Sequence, residues 1–472
     1  MRAAIVGGGV IGGGWAARFA VMGWEVRVFD PAPDAEARLS PIMEAAARAL
    51  PMLYEAPMPE PGAVSYHADL AEAVEGADWV QESVPERLDL KQAVWREILD
   101  AAPRGAMLGS STSGFRPGEL QEGMGSEGRI LVAHPFNPVY LLPLVELVGS
   151  AKTDAGLLEK ASEILTGIGM YPLRVRAEID AHIADRLLEA VWREALWLVR
   201  DGIATTAEID DAIRMGFGLR WAQMGLFETY RLGGGEAGMR HFLKQFGPCL
   251  QLPWTRLTEV PDFDDALVET IAAQSDAQSG GVTIPQLARR RDDNLVAILR
   301  ALKMQGNAAG AVLRDHDATL RGRLDETLPM VTVRRVVPAD WTDTNGHMNE
   351  GRYGQIFSDA AEEFMHHVGA DAAYIAAGHS YFTAETTIRY LAETLAGERV
   401  RVETRVTLGE GRKLRLVHEM RGEADGTLRA GCDQFLLHVS LDTRRSCPPL
   451  PAVAAEVERI ARLHAGETPV QG

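Results

Sequence analysis

From Met1 to about Arg176, short apolar runs alternate with stretches of helical periodicity. The runs are Ala3 to Val6, Val26 to Phe29, Trp79 to Val84, Met107 to Ser110, Ile130 to Ala133 and Val145 to Val148. Strands buried on both faces read this way, so the pattern predicts βαβ units and a parallel sheet. From Ile179 to roughly Leu313 the period changes. The segment IDAHIADRLLEAVWREALWLVRDGI keeps Ile183, Leu187, Val191 and Leu198 near one helical face, which predicts an all-helical second domain. A charged stretch poor in aromatics follows, RDHDATLRGRLDETLP, and reads as a linker. Beyond it VTVRRV, ERVRVETRVTL, KLRLVHEM and LRAGCDQFLLHVSL alternate with period two, and YGQIFSDAAEEFMHHV has helical spacing. An antiparallel sheet wrapped on one helix is the simplest architecture. The expected domains are therefore 1–178, 179–315 and 330–472, with 316–329 as linker and an Ala-rich tail at the end.

A chain of 472 residues exceeds what one core usually serves, which fits several domains. The formal charge of -18 disfavours nucleic acid and anionic membrane as partners, while a cationic substrate is tolerated. Cys249, Cys432 and Cys447 lie far apart with no metal-ligand spacing, so neither a zinc site nor a disulfide framework is indicated. The first strand starts at the N-terminus and no segment approaches a membrane span, so a soluble, cytoplasmic protein is expected.

Gly7, Gly9 and Gly12 in GGGVIG follow the first predicted strand and open a helix. In that context glycines let backbone approach a pyrophosphate at a helix N-terminus. Asp30 ends the second strand, 18 positions after Gly12, where a carboxylate bonds both ribose hydroxyls and repels the extra phosphate of NADP. NAD is the cofactor this predicts. His134 ends a later strand, and Glu146 lies twelve positions on, in the next. A histidine so placed takes a hydroxyl proton while the carboxylate holds its tautomer; a turn-capping role for His134 is the alternative.

GGGVIG, then STSGF at Ser111 to Phe115, HPFNP at His134 to Pro138, and VEL together resemble the 3-hydroxyacyl-CoA dehydrogenase family over roughly the first 310 residues. The resemblance implies a Rossmann domain followed by a helical dimerisation domain, with His134 as base, Glu146 as its orienting partner, Ser113 on the reacting oxygen, and Asn137 matching the motif asparagine. One position departs. Where the family carries a catalytic asparagine before RLL, this chain has Asp185, which accepts hydrogen bonds but donates none when ionised. The chain has no Lys before Lys91, and the stretch from Glu55 to Asp69 holds no Lys or Arg to grip CoA phosphates. Both features favour a free, cationic acid, and MGFGLRWAQMGLFETY is similar to the branch that contains gulonate and L-carnitine dehydrogenases. A trimethylammonium group is held by aromatic faces and diffuse negative charge; Tyr140, Trp192, Trp221, Phe227 and Tyr230 are the candidates, with ordinary core packing the competing reading for each. Arg220 is the candidate clamp for the substrate carboxylate.

VPADWTDTNGHMNEGRYGQIF resembles the hotdog-fold acyl-CoA thioesterases of the 4-hydroxybenzoyl-CoA type, and the match runs on for about 120 residues. It implies that Asp343 attacks the thioester or activates water while backbone N–H groups at the helix start polarise the carbonyl; Glu350 and Glu385 are rival carboxylates. The fusion as a whole resembles the bifunctional L-carnitine dehydrogenases that carry a betainyl-CoA thioesterase, and both parts resemble families that dimerise. The expectation is an α/β Rossmann domain, an all-α domain and an α+β hotdog domain, acting on carnitine and betainyl-CoA as a homodimer. The alternative is a 3-hydroxyacyl-CoA dehydrogenase fused to a general acyl-CoA thioesterase.

Overall fold

The structure is a computed structural model that describes residues 1–125, 128–233, 238–246, 255, 256, 262, 264–322 and 324–466. Cys249 lies outside the described residues. The chain forms two compact units, one of Met1–Ala46 with Glu60–His316, the other of Ala47–Pro59 with Asp317–Gly472.

The first unit is built on eight strands, β1 (Arg2–Val6), β2 (Glu25–Phe29), β3 (Val64–His67), β4 (Trp79–Glu82), β5 (Met107–Ser110), β6 (Ile130–Pro135), β7 (Leu144–Val148) and β8 (Tyr171–Val175). They lie in the order β3-β2-β1-β4-β5-β6-β7-β8, so the order reverses at β1, where a doubly wound sheet opens its crevice. Helices α1 (Val10–Val21), α2 (Ala35–Ala49), α3 (Leu70–Val74), α4 (Leu88–Ala101), α5 (Pro117–Leu120) and α6 (Ala155–Gly167) connect them. The six expected strands are present. The edge strands β3 and β8 are added; both are only half-buried, so neither needs an unbroken apolar run to be stable. The expected all-parallel sheet requires correction, because β6 and β7 pair antiparallel.

Helix α1 is buried along nearly all its length, with Trp15, Ala16, Ala17 and Phe19 in the core. Arg18 is buried with them and donates to the carbonyls of Tyr140, Ile168 and Gly169, which satisfies a charge that would otherwise be costly inside. The opposite face of the sheet packs Val80, Leu108, Ile130 and Val132 with Trp95 and Ile98 of α4.

The helical part follows as α7 (Ala184–Arg200), α8 (Thr206–Ala212), α9 (Gly218–Gly233), α10 (Gly238–Phe246), α11 (Asp265–Ser279), α12 (Ile284–Gln305) and α13 (Ala309–Leu320). Capping boxes start α8, from Thr205 and Glu208, and α12, from Thr283 and Gln286. The apolar face expected at Ile183, Leu187, Val191 and Leu198 is turned outward: Ile183, Leu187 and Leu198 are exposed and Val191 is half-buried, Leu188 and Trp192 are exposed beside them, and Leu196 and Val199 are buried instead. The segment read as a linker from residue 316 begins inside α13.

The second unit is an antiparallel sheet of β9 (Met330–Val336), β10 (His379–Tyr390), β11 (Arg399–Glu410), β12 (Lys413–Gly422) and β13 (Leu428–Ser440), in the order β10-β13-β12-β11-β9, with β14 (Arg445–Ser446) on β13. Helix α14 (Glu350–His367) lays Tyr353, Ile356, Phe357 and Ala360 against Val333, Val400, Val402 and Met420. The single-helix expectation is corrected here as well. Besides the short α15 (Ala372–Ala376), the Ala-rich tail forms α16 (Pro451–Ala465), whose Val453, Val457 and Ile460 join Val406, Leu414, Leu416 and Leu436 in a second core. Their spacing of four and three residues is a helical stripe, long enough to bury one face.

Candidate active site

The turn between β1 and α1 is shaped by two glycines. Gly7 has φ +100°, and a Cβ there would lie 2.7 Å from the Ser83 carbonyl oxygen. A Cβ on Gly12 would lie within bonding range of the Gly7 carbonyl oxygen, so α1 approaches the turn only without a side chain. Gly9 caps α1 and faces open space, leaving the N–H groups of the first turn approachable. Asp30 at the end of β2 is nearly buried and accepts from the Gly8 N–H (2.6 Å) and the Ala32 N–H (2.9 Å), with Arg38 at 3.4 Å. A glycine cradle that a Cβ would fill, a helix N-terminus and a carboxylate at the next strand end fit a dinucleotide with free ribose hydroxyls.

The antiparallel β6–β7 pairing makes His134 and Glu146 direct register partners. His134 Nδ1 lies 3.0 Å from Glu146 Oε2, and the other Glu146 oxygen accepts from the N–H groups of Ile183 and Ala184, at 2.9 Å each. Burial pushes the Glu146 carboxyl up, but His134 and the two N–H donors outweigh it and hold it below the usual range. Glu146 is therefore an anion that accepts a hydrogen bond from His134 Nδ1–H, leaving Nε2 with its lone pair, 3.2 Å from Ser113 Oγ. Asp185, in the first turn of α7, brings Oδ2 to 3.8 Å from the same Nε2.

Sequence reasoning passed over the group that holds Ser113. Glu86 Oε1 accepts from the Thr112 hydroxyl (2.5 Å) and from the N–H groups of Ser113 (3.1 Å) and Gly114 (3.0 Å). Burial raises its pKa, but Thr112, Lys91 and Gly114 bring it below the ordinary value. Lys91 is buried and bridges Glu86 (3.3 Å) to the fully buried Glu82 (2.8 Å). The spacing that exposes this network is E-x-x-x-E with a lysine five positions on, a pattern equally common on solvated helices.

Other expected substrate residues are scattered. Tyr140 requires correction: it is buried, and its hydroxyl donates to Asp292 (2.7 Å) and accepts from Arg291 (3.2 Å), so its ring is core. Asn137 is exposed in the turn after β6. Trp221 is partly exposed and packs on Phe217 with ring centroids 4.6 Å apart, Phe227 and Arg220 are exposed, and Tyr230 stacks on Phe242.

In the second unit, Asp343 opens a turn before α14. It is exposed, with Oδ1 accepting from the Asn345 N–H (2.8 Å), and its carbonyl accepts from Gly346. Asn349 caps α14 through the Gly351 N–H (3.0 Å), which leaves the helix N-terminus beside that turn. His347 pairs with Glu393 (3.3 Å), and Tyr353 is buried with its hydroxyl on Thr394 (3.1 Å). Glu350 starts α14, and Glu385 sits at a bulge of β10; both are exposed. Among the described residues no cluster of three or more His, Cys, Asp or Glu is arranged to hold a metal ion.

Residues 2–179 match the model of the 3-hydroxyacyl-CoA dehydrogenase NAD-binding domain, residues 182–260 that family's C-terminal domain, and residues 337–457 the thioesterase-like superfamily. An L-carnitine dehydrogenase/betainyl-CoA thioesterase of Ruegeria pomeroyi is 60% identical over 471 residues, which is 98% of this chain and 96% of the relative. An L-carnitine dehydrogenase of Pseudomonas putida is 50% identical over 312 residues, 66% of this chain and 97% of its own. Among solved structures, an NAD-dependent 5-formyl-3-hydroxy-2-methylpyridine 4-carboxylic acid 5-dehydrogenase superposes with a TM-score of 0.54 at 27% identity, covering 64% of this chain and 98% of that one.

Proposed function

This chain belongs to the 3-hydroxyacyl-CoA dehydrogenase family, in the group of L-carnitine dehydrogenase/betainyl-CoA thioesterases, and from that premise we propose that it oxidises L-carnitine to 3-dehydrocarnitine with NAD and hydrolyses betainyl-CoA to glycine betaine and CoA. Residues 1–178 serve dinucleotide binding, 179–315 substrate binding and dimerisation, and 330–472 thioester hydrolysis. The observation that carries the dehydrogenase reading is the chain from Ser113 through His134 to Glu146, with Asp185 beside its reacting end.

Gly7, Gly9, Gly12 and Asp30 would hold NAD, whose nicotinamide would supply the acceptor for the hydride that leaves C3. Ser113 Oγ and His134 Nε2 are close enough to share the substrate hydroxyl, and His134 takes its proton. The imidazolium so formed rests on the Glu146 carboxylate, which keeps the proton on Nδ1 before and after the transfer. Asp185 adds negative charge next to the reacting oxygen. That favours a substrate carrying an ammonium group and disfavours a neutral thioester, whose oxygen needs a donor there. Trp221, Phe227 and Tyr230 supply aromatic faces, and Arg220 receives the carboxylate. Asn137 stands at the mouth of the turn.

In the second unit Asp343 attacks the thioester carbonyl or activates a water, and the first turn of α14 receives the developing oxyanion. The protein is a cytoplasmic homodimer without membrane or nucleic-acid partners; no described helix is long and apolar enough to cross a membrane. Two surfaces support pairing. Ile183, Leu187, Leu188 and Trp192 leave an apolar face of α7 uncovered, and β10 is a long, largely exposed edge strand. NADH formation with L-carnitine, set against 3-hydroxybutyrate and 3-hydroxybutyryl-CoA, tests the reading. A strong preference for carnitine supports it, and a preference for the CoA ester overturns it.

A further inference from the structure

His182 lies one residue before the pair whose N–H groups hold Glu146, and it is completely buried. Its Nε2 is 3.2 Å from the Thr112 carbonyl oxygen, and its ring centroid is 5.7 Å from that of His134. Because the partner is a carbonyl, Nε2 carries the proton and donates. No described residue meets Nδ1, so the ring keeps a buried acceptor unsatisfied, an arrangement that folding alone disfavours. The backbone is unusual at the same place. Ala181 and His182 have φ +57° and +49°, in the left-handed region that residues other than glycine rarely adopt. The bent backbone places the Ala181 N–H on the Gly114 carbonyl, 3.1 Å away.

The segment Thr112–Gly114 is thus gripped from two sides. Glu86 takes its hydroxyl and N–H donors, while Ala181 and His182 donate to its carbonyls. Between the grips stands Ser113, facing His134 Nε2. We propose that His182 is a positioning residue of the dehydrogenase, one that fixes Ser113 Oγ against His134 Nε2 through its Nε2–H bond to the Thr112 carbonyl. Burial holds the His182 pKa below the ordinary value, so the ring stays neutral and adds no charge beside His134 when the latter takes the substrate proton. This inference rests on Ser113 and His134 being the reacting pair.

The test is a double-mutant cycle on the full-length enzyme. His182→Phe removes the donor and keeps a ring; His182→Gln places an amide N–H near the position of Nε2. His182→Phe is expected to lower kcat for the 3-hydroxy acid at least tenfold, on the order of what misplacement of a reacting group costs, with NAD affinity by fluorescence titration changed less than threefold. His182→Gln is expected to recover most of that loss. In the Ser113→Ala background His182→Phe is expected to cost less than a further threefold, because the group it positions is gone. If His182→Phe does not fold, His182→Asn, too short to reach Thr112, takes its place in the cycle. Equal losses for Gln and Phe, or full additivity with Ser113→Ala, overturn the inference while leaving the reacting pair intact. Full activity of Ser113→Ala and His134→Ala overturns both.

Discussion

His134 owes its chemistry to what surrounds it. A free imidazole exchanges between two tautomers, and Glu146, itself held by two backbone N–H groups, commits Nδ1 as the donor and leaves Nε2 its lone pair. Asp185 lies 3.8 Å from Nε2 and is partly exposed, and on the proposed function its charge favours a substrate that carries an ammonium group, an attraction that solvent screening weakens. Asp185→Asn is accordingly expected to raise the KM for L-carnitine about tenfold while leaving the KM for 3-hydroxybutyrate within about twofold, read from initial rates of NADH formation. An equal change for both substrates would mean that Asp185 serves the fold and not the ammonium group.

Among the elements, the antiparallel β6–β7 pair does the positioning that a parallel crossover would not: residues twelve apart in sequence become directly opposed. In the second unit, α16 is fastened to the chain entering β9. Arg459 forms a two-point bond with Glu326, at 2.6 and 2.7 Å, and His367 of α14 lies 2.9 Å from the same carboxylate. Arg459, with a smaller share from His367, outweighs burial and holds the Glu326 carboxyl down to about 2. Since the folded-state value lies below the unfolded one, the contribution is complete above the usual carboxylate pKa and is lost as pH falls from there toward about 2. Thermal unfolding of wild type and Glu326→Gln should therefore differ in Tm near neutrality, with the gap closing in acid. A gap independent of pH would show that lost packing, not charge, destabilises the variant.

At the scale of the molecule, two chemistries sit on two units, each with its own core and its own charged centre. The dehydrogenase centre is largely buried; Asp343 is exposed in a turn. Asp343→Asn should abolish betainyl-CoA hydrolysis, by at least a hundredfold in kcat, while L-carnitine oxidation stays within twofold of wild type. CoA release measured with a thiol reagent beside the NADH assay distinguishes the outcomes. Retained hydrolysis would transfer the role to Glu350 or Glu385.

Much of this was legible in the order of residues, because local rules govern it. Apolar runs marked six of the eight strands of the first sheet; GGGVIG with Asp30 marked the glycine turn and the carboxylate that meets it; HPFNP and STSGF marked His134 and Ser113, which the fold brings within 3.2 Å of each other; and the alternation after residue 330 marked a second, antiparallel sheet. The half-buried edge strands β3 and β8 were not legible, since one-sided burial leaves only a weak pattern. The stripe of α16 was legible but hidden by its alanines. What only tertiary structure decided is which groups meet across the chain. The turn of Tyr140 toward Asp292, the hold of Glu86 on the Ser113 loop and the donation of His182 to Thr112 join residues 26 to 152 positions apart. No periodicity encodes such contacts; they follow from where the folded sheet and the helices beside it bring the ends of separate elements together.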